Sequence, residues 1–191
     1  MTGLLAVKSN RKITIFVSTT FLILCLMGCD KIFPASGYKV QKVSDGDTIL
    51  VTDTNNQRIS VRFACIDAPE VPHSQRERNS KRAVYRNQFK WGAKAQKRVQ
   101  QLVEKGGDRV LLNITDTDRY GRKVAEVRLK DRTFIQEVLV REGLAQVYRS
   151  YLNKCPSRDI IQLVEAEAKK KRRGVWQDKK YVQSWEFRRL K

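Results

Sequence analysis

The chain has 191 residues, of which 39 are Lys or Arg and 20 are Asp or Glu, so its formal net charge at pH 7 is +19. A chain of this length predicts one domain that is large enough to bury a core. The positive excess is spread along the chain and favours a polyanionic partner, a nucleic acid or an acidic membrane surface, over a basic surface that serves solubility alone. His73 is the single histidine, which argues against histidine-based metal sites and Ser-His triads.

The N-terminus has the pattern of an export signal. Basic residues precede an apolar run from Ile13 to Gly28, which is shorter than the roughly 20 residues that a membrane-spanning helix needs. Residues 1–28 are therefore predicted to be a signal peptide, followed by a linker over residues 29–37. The run ends in Leu-Met-Gly-Cys, which resembles a bacterial lipobox and makes Cys29 the candidate lipidated residue. This predicts a lipid anchor in a bacterial membrane, on its periplasmic or cell-surface side. Plain cleavage with secretion and an uncleaved anchor are the alternatives.

The first predicted elements are three short strands joined by tight turns. A strand begins at Tyr38, where apolar and polar residues alternate, and Thr48 to Val51 is a second β-prone run. The turn between them is Asp45-Gly46-Asp47. Arg58 to Ile66 is predicted to be a third strand. The order of these elements indicates an antiparallel meander.

Helices and strands alternate over the rest of the chain. A long basic loop over Val71–Trp91, perhaps with a helical turn, precedes a helix over Ala93–Lys105. Then follow a strand over Arg109–Thr115, a turn and a strand over Thr117–Leu129, and a helix over Phe134–Gly143. The last predicted elements are a helix from Pro156 to about Arg173 and a basic, aromatic tail over residues 177–191. About five short strands with helices between them fit an α+β fold such as an OB-like Greek-key barrel. Composition alone does not choose between this barrel and other α+β arrangements.

Charged residues gather near the predicted turns, and their types suit one kind of chemistry. The set comprises Asp45, Asp47, Arg62, Asp67, Glu70, Asp118, Arg119 and Arg122. Carboxylates with backbone carbonyls form sites for hard cations such as Ca²⁺ or Mg²⁺, and arginines offer a fixed fork of donors to phosphate oxygens. A remaining carboxylate could orient or deprotonate a water molecule. Together these groups meet the requirements of phosphodiester hydrolysis.

Four motifs in this order resemble the thermonuclease family, of which staphylococcal or micrococcal nuclease is the type member. They are VSDGDTILV, VRFACIDAPE, DRYGRKVAEV and FIQEVLVREGLAQVY, and the likeness covers about Tyr38 to Trp176. The resemblance implies an OB-like five-stranded β-barrel with three helices, and a nuclease domain over residues 38–176. It also implies Ca²⁺-dependent cleavage of DNA and RNA that leaves 3′-phosphate ends, by a chain expected to be a monomer. A non-catalytic nucleic-acid-binding module on the same fold is the alternative.

The resemblance also implies roles for single residues of the motifs. Asp47, Asp67 and the backbone carbonyl of Ala68 would be the Ca²⁺ ligands. Arg62 and Arg122 would grip the scissile phosphate. Glu70 would act on the attacking water, either as general base or by positioning it. Asp45 would support the metal site through a water molecule.

Some implied contacts lie outside the acidic motifs. Tyr151 falls near a position where the family places a tyrosine against the nucleotide, and packing is the equally weighted alternative because Arg149 replaces another expected tyrosine. The long basic loop, with Arg76, Arg78, Lys81 and Arg82, would contact phosphates along the strand, or else be a solvated loop. The family fold brings Cys65 near Cys155, so a disulfide between them is a hypothesis, with two unpaired thiols as the alternative.

One geometric condition applies to Arg62 and Asp67. In an unbroken strand, residues five apart point to opposite faces. The two side chains can therefore share a site only if the strand bends or ends before Asp67. The following Ala68-Pro69 sequence favours such an end.

Overall fold

The structure is a computed structural model that describes residues 37–191. The predicted signal peptide and the lipidation site Cys29 lie outside these residues, as does the predicted linker apart from Gly37. Within residues 37–191, no helix combines the length and the apolar composition that crossing a membrane would require.

Seven strands and five α-helices make up the described part of the chain. The strands are β1 Tyr38–Val43, β2 Thr48–Thr52, β3 Arg58–Phe63, β4 Ile66–Asp67, β5 Arg109–Thr117, β6 Lys123–Arg128 and β7 Gln146–Val147. The helices are α1 Gln75–Arg78, α2 Ala83–Lys105, α3 Ile135–Arg141, α4 Arg158–Lys170 and α5 Ser184–Phe187. Two 3₁₀ turns cover Arg149–Lys154 and Gly174–Gln177.

Five of the strands form a closed barrel in the order β1-β2-β3-β6-β5. The pairs are antiparallel except β3 with β6, which run parallel, and β1 closes the barrel against β5 by pairing Tyr38 with Val110. The barrel interior is filled by small β-branched and aromatic side chains, among them Val51, Val61 and Phe63. The predicted OB-like α+β barrel is thereby confirmed.

Helices α2, α3 and α4 are the three longest of the described residues and cover the barrel. Helix α2 buries one face, which includes Trp91, Ala95, Val99 and Leu102. Because these positions recur every three or four residues, they form a continuous apolar stripe.

The prediction of a long loop over Val71–Trp91 was wrong from Ala83 onward. The four-residue helix α1 agrees with the helical turn allowed in this loop, but helix α2 begins at Ala83 rather than at Ala93. The apolar stripe of α2 continues upstream through Gln88 to Tyr85, both of which are buried. Basic residues on the exposed face hide this periodicity in the sequence.

The third predicted strand is interrupted between Phe63 and Ile66. Strand β3 ends at Phe63, and Cys65 adopts a φ of 73°, which turns the chain. Strand β4 then leaves the barrel and pairs with β7, with Ile66 opposite Val147. This break meets the condition set by the five-residue spacing, and it turns Asp67 toward the same site as Arg62.

A disulfide joins the turn after β3 to the start of α4. It links Cys65 to Cys155, whose Cα atoms lie 5.3 Å apart, across 90 residues of chain. The carbonyl of Cys65 also accepts a hydrogen bond of 2.9 Å from the amide of Tyr148. The segment that carries Asp67 is therefore tied to the helical layer by a covalent bond and a hydrogen bond.

Removal of this disulfide should destabilise the fold. A Cys65→Ala/Cys155→Ala variant is expected to lose about 2–5 kcal/mol of unfolding free energy, because the cross-link restricts a long loop of the unfolded chain. Urea unfolding followed by circular dichroism measures the difference. Reductant should destabilise the parent protein and leave the double variant unaffected. Equal unfolding midpoints for the two proteins would show that the cross-link contributes nothing.

The C-terminal segment, residues 177–191, folds back onto α2. Phe187 is fully buried, and its ring lies 5.0 Å from that of Tyr85 and 6.0 Å from that of Phe89. The Asp178 carboxylate accepts a hydrogen bond of 2.8 Å from Trp91 Nε1. The segment predicted as a basic, aromatic tail is thus an ordered part of the domain.

Candidate active site

The Asp-Gly-Asp turn is held against α2. The amide of Asp47 donates to Asp45 Oδ1 at 2.9 Å, which closes the turn. A side chain at Gly46 would bring a Cβ within 2.6 Å of the Ala95 Cβ and 2.8 Å of the Ala68 Cβ, so the glycine permits the close approach. The turn therefore packs between α2 and the residue that follows β4.

Two carboxylates from separate elements share one guanidinium group. Arg62, on β3, forms an ion pair with Asp47 through Nη1, and its Nη2 lies 2.6 Å from Asp67 Oδ1. Asp47 Oδ2 also accepts a hydrogen bond of 2.6 Å from the amide of Ala68. The predicted ligand residues Asp47, Asp67 and Ala68 thus lie together, around Arg62.

The ionisation of this cluster reflects burial and pairing. Burial alone would raise the pKa of Asp47, but the charge of Arg62 and several hydrogen bonds hold it below its ordinary value. Burial raises the pKa of Asp67, and Arg62 offsets this only in part. Burial and the neighbouring charge of Asp47 raise the pKa of Asp45 to about 8. Asp45 can therefore keep its proton near neutral pH while Asp47 is ionised.

Glu70 follows the same loop and is fixed by the backbone of α2. A side chain at Gly92 would overlap the carbonyl group of Glu70, so the absence of one lets helix and loop touch. Glu70 Oε1 lies 2.6 Å from Arg188 Nη1. His73 Nε2 lies 3.5 Å from the other carboxylate oxygen and forms an ion pair when protonated. The carboxylate reaches the cleft described below.

Arg122 comes from the hairpin between β5 and β6. Its Nε donates to Asp118 Oδ2 at 2.7 Å, and its amide donates to Asp118 Oδ1 at 3.0 Å. Its guanidinium carbon lies 5.5 Å from the centre of the Tyr120 ring. Asp118 and Tyr120 thus hold this arginine at the hairpin rather than in the cluster around Arg62.

The acids and arginines predicted near the turns all line one open cleft with a volume of about 790 Å³. The cleft runs from the Asp-Gly-Asp turn to the hairpin after β5. The acidic and basic side chains that line it are Asp45, Asp47, Arg62, Asp67, Glu70, His73, Asp116, Asp118, Arg119, Arg122, Lys154 and Arg188.

Aromatic side chains form one wall of the cleft. Tyr148 and Tyr151 line it with ring centres 5.4 Å apart, and Tyr151 is more than half exposed. Arg149 instead points to α4, where its Nη2 lies 2.8 Å from the buried Glu165. The predicted Tyr151 is therefore placed for contact with a ligand, while Arg149 has a structural partner.

The predicted basic-loop contacts lie on a different surface. Arg76, Arg78, Lys81 and Arg82 are exposed on α1 and at the start of α2, and the cleft lining does not include them. The guanidinium of Arg82 lies over the Tyr85 ring at 4.7 Å. These cations can contact a polyanion only if it extends beyond the cleft.

Arg188 is a cleft residue that the sequence analysis missed and that contacts two of the predicted acids. It follows α5, and its guanidinium binds both Asp67 and Glu70. No motif spacing places a residue 118 positions away beside Glu70. The signal available in the sequence is the pair of aromatic residues Trp185 and Phe187. It predicts that this segment packs on the domain but does not predict which element it packs against.

The donor set suits a hard divalent cation. Asp47 and Asp67 offer carboxylate oxygens beside the backbone of Ala68, and oxygen ligands are those that Ca²⁺ prefers. A second group with the spacing of a metal site also occurs within residues 37–191. The ligand atoms of Cys65, Glu126 and Cys155 all lie within 4.8 Å of one another. Since both sulfurs of that group form the disulfide, it does not hold a metal. The carboxylates of Asp47 and Asp67 have the chemistry of cation ligands, and in this structure the guanidinium of Arg62 lies between them.

Comparisons with known proteins show which proteins this chain is similar to. The family model described as "Staphylococcal nuclease homologue" matches residues 60–178. An "Uncharacterized endonuclease" of Escherichia coli O157:H7 is 31% identical over 153 residues, which cover 80% of this chain and 85% of that protein. The "Micrococcal nuclease" of Shigella flexneri is 31% identical over 159 residues, 79% of each chain. "Endonuclease YncB" of Bacillus subtilis is 33% identical over 144 residues, 75% of this chain and 63% of that protein.

Proposed function

The chain belongs to the family of staphylococcal nuclease homologues, and from this premise we propose that it is an exported, Ca²⁺-dependent endonuclease. Its substrates are DNA and RNA, and its products carry 3′-phosphate ends. The observation that carries the proposal is the convergence of Asp47 and Asp67 on one guanidinium in a cleft that also contains Glu70 and Arg122. The relatives named as endonucleases support the hydrolytic reaction.

The metal site uses oxygen ligands from two elements. Asp47, Asp67 and the carbonyl of Ala68 would hold Ca²⁺, and Asp45 would support the site through water. Bound calcium would supply positive charge to the phosphate and to a water molecule.

The remaining side chains divide the chemistry between them. Arg62 and Arg122 bind the non-bridging oxygens of the scissile phosphate, where negative charge increases as the transition state forms. The side chain of Arg122 is 31% exposed on its hairpin, so it can approach the departing 5′-oxygen. Glu70 accepts the proton of the attacking water or positions that water.

The alternative, a binding module without catalysis, is favoured by the high positive charge alone. A binding surface needs cations but gains nothing from a concentration of carboxylates beside a phosphate site. Asp45, Asp47, Asp67 and Glu70 lie in the cleft that would hold the phosphate. This arrangement weakens simple phosphate binding and favours a cation-assisted reaction.

A cleavage assay tests the proposal and separates it from the alternative. Plasmid DNA, single-stranded DNA and RNA are each incubated with the protein in Ca²⁺ or in excess chelator. We expect cleavage in Ca²⁺ alone, with ends that a polymerase extends only after phosphatase treatment. An Asp67→Asn variant should lose this activity. Binding without cleavage would favour the non-catalytic module, and cleavage in excess chelator would refute the metal mechanism.

Export with lipidation at Cys29 is a separate part of the proposal. Mass spectrometry of the mature N-terminus should find a chain that begins at a lipid-modified Cys29. A Cys29→Ala variant should then appear in the soluble fraction or keep its uncleaved signal. An unmodified mature N-terminus at another residue would replace lipidation by plain secretion.

A further inference from the structure

The C-terminal segment brings a third arginine onto the acids of the cleft. Arg188 Nη2 lies 2.7 Å from Asp67 Oδ2, and its Nη1 lies 3.2 Å from Asp67 Oδ1 and 2.6 Å from Glu70 Oε1. Together with Arg62, it engages both carboxylate oxygens of Asp67, whose exposed fraction is 0%. One guanidinium therefore binds a proposed metal ligand and the proposed proton acceptor together.

Arg188 is held near the cleft by contacts that do not involve the acids. Phe187 is buried against the aromatic rings of α2, and the hydroxyl of the fully buried Ser184 lies 3.2 Å from the side-chain amide of Gln88. Asp178 accepts hydrogen bonds of 2.8 Å from both Asn87 and Trp91. These contacts keep the segment in place when the guanidinium, itself more than one-third exposed, moves away from Asp67.

A divalent cation and Arg188 require the same oxygen atoms. Direct coordination uses carboxylate lone pairs that now accept hydrogen bonds from Arg188. The two positive groups also repel each other at short distance in a partly buried site. Asp67 therefore cannot bind both fully at the same time.

We propose that Arg188 is a tethered competitor of the divalent cation. When no cation is bound, Arg188 pairs with Asp67 and Glu70, and this pairing sets the cation affinity. This inference rests on the proposed function, because it concerns the same metal ligands. Cation binding releases Arg188 from Asp67, and the freed guanidinium stays in the cleft because Phe187 anchors it. Coupling between two such ligands is reciprocal, and its usual size is about 5–150-fold in affinity.

Calorimetric titration of the full chain with CaCl₂ tests the proposal without measuring activity. Arg188→Gln should bind Ca²⁺ at least about five-fold more tightly than the parent protein, because the competitor's charge is gone. Arg188→Lys keeps a charge and should give an affinity between the two. Arg189→Gln is the matched control, since Arg189 is the exposed neighbour, and its affinity should equal that of the parent protein.

The possible outcomes separate this inference from the proposed function. Unchanged or weaker Ca²⁺ binding by Arg188→Gln, with binding by the parent protein intact, overturns the competition and leaves the nuclease proposal standing. Absence of Ca²⁺ binding by both proteins overturns the competition and the Ca²⁺ site together. Thermal unfolding gives a second readout: Arg188→Gln should melt lower than the parent protein in chelator and gain more from Ca²⁺.

Discussion

Replacement of Glu70 by glutamine should lower the rate constant of cleavage by about 10²–10⁴-fold, the usual contribution of a positioned general base. Glutamine keeps the size of the side chain and can still form a hydrogen bond with Arg188, but it cannot accept a proton from water. Single-turnover cleavage of a labelled oligonucleotide in saturating Ca²⁺ measures the chemical step directly. The fold should be intact, because the loop backbone at Glu70 is fixed by its contact with Gly92.

Glu77→Gln is the matched control for this substitution. Glu77 lies on α1 and pairs with Lys191 at 2.8 Å, and the lining of the cleft does not include it. Its cleavage rate should stay within about two-fold of the parent rate, in line with the small effect of surface substitutions. A loss of only about 10-fold in Glu70→Gln would favour positioning of the water over proton transfer. A near-normal rate would remove Glu70 from the mechanism.

The sequence could predict the barrel because its motifs resemble the thermonuclease family, and this resemblance selects one fold among the α+β arrangements that the local patterns allow. The short alternating strands, the Asp45-Gly46-Asp47 turn and the motif that ends in Glu70 indicate the same architecture. The motif order also predicts that Asp47 and Asp67 meet. The sequence analysis required a break before Asp67 but could not place it at Cys65. Cys65 adopts a left-handed backbone conformation, and the surrounding packing imposes this conformation on a residue that does not prefer it.

The missed features depend on tertiary contacts. The start of α2 lies in a highly charged stretch, where Tyr85 and Gln88 are buried by the C-terminal segment rather than by the barrel alone. Arg188 reaches Asp67 because the neighbouring Phe187 packs against the rings of Tyr85 and Phe89 on α2. Such contacts join residues about 100 positions apart, and periodicity within a short window cannot predict them.

The two proposed phosphate-binding arginines should differ sharply in their effect on stability. Arg62→Gln is expected to lower the unfolding free energy by about 3–5 kcal/mol at pH 8, because it leaves the buried carboxylates of Asp47 and Asp67 without their shared partner. Arg122→Gln should cost less than about 1 kcal/mol, because its partner Asp118 is on a partly exposed hairpin. Both variants should lose cleavage activity if both arginines bind the phosphate.

The dependence of this difference on pH follows from the carboxylates. In the parent protein the folded pKa of Asp47 lies below its ordinary value, so its contribution to stability is present above pH 4 and is lost as pH falls through the folded pKa. Without Arg62, burial should raise the pKa of Asp47 above its ordinary value and raise that of Asp67 further than in the parent protein, so protonation stabilises the variant as pH falls. The difference in unfolding free energy between the parent protein and Arg62→Gln should therefore become smaller from pH 8 to pH 5. The corresponding difference for Arg122→Gln should stay small at both pH values. Urea unfolding in chelator at both pH values measures this, and a gap that is constant or widens toward pH 5 would contradict the shared-guanidinium account of the site.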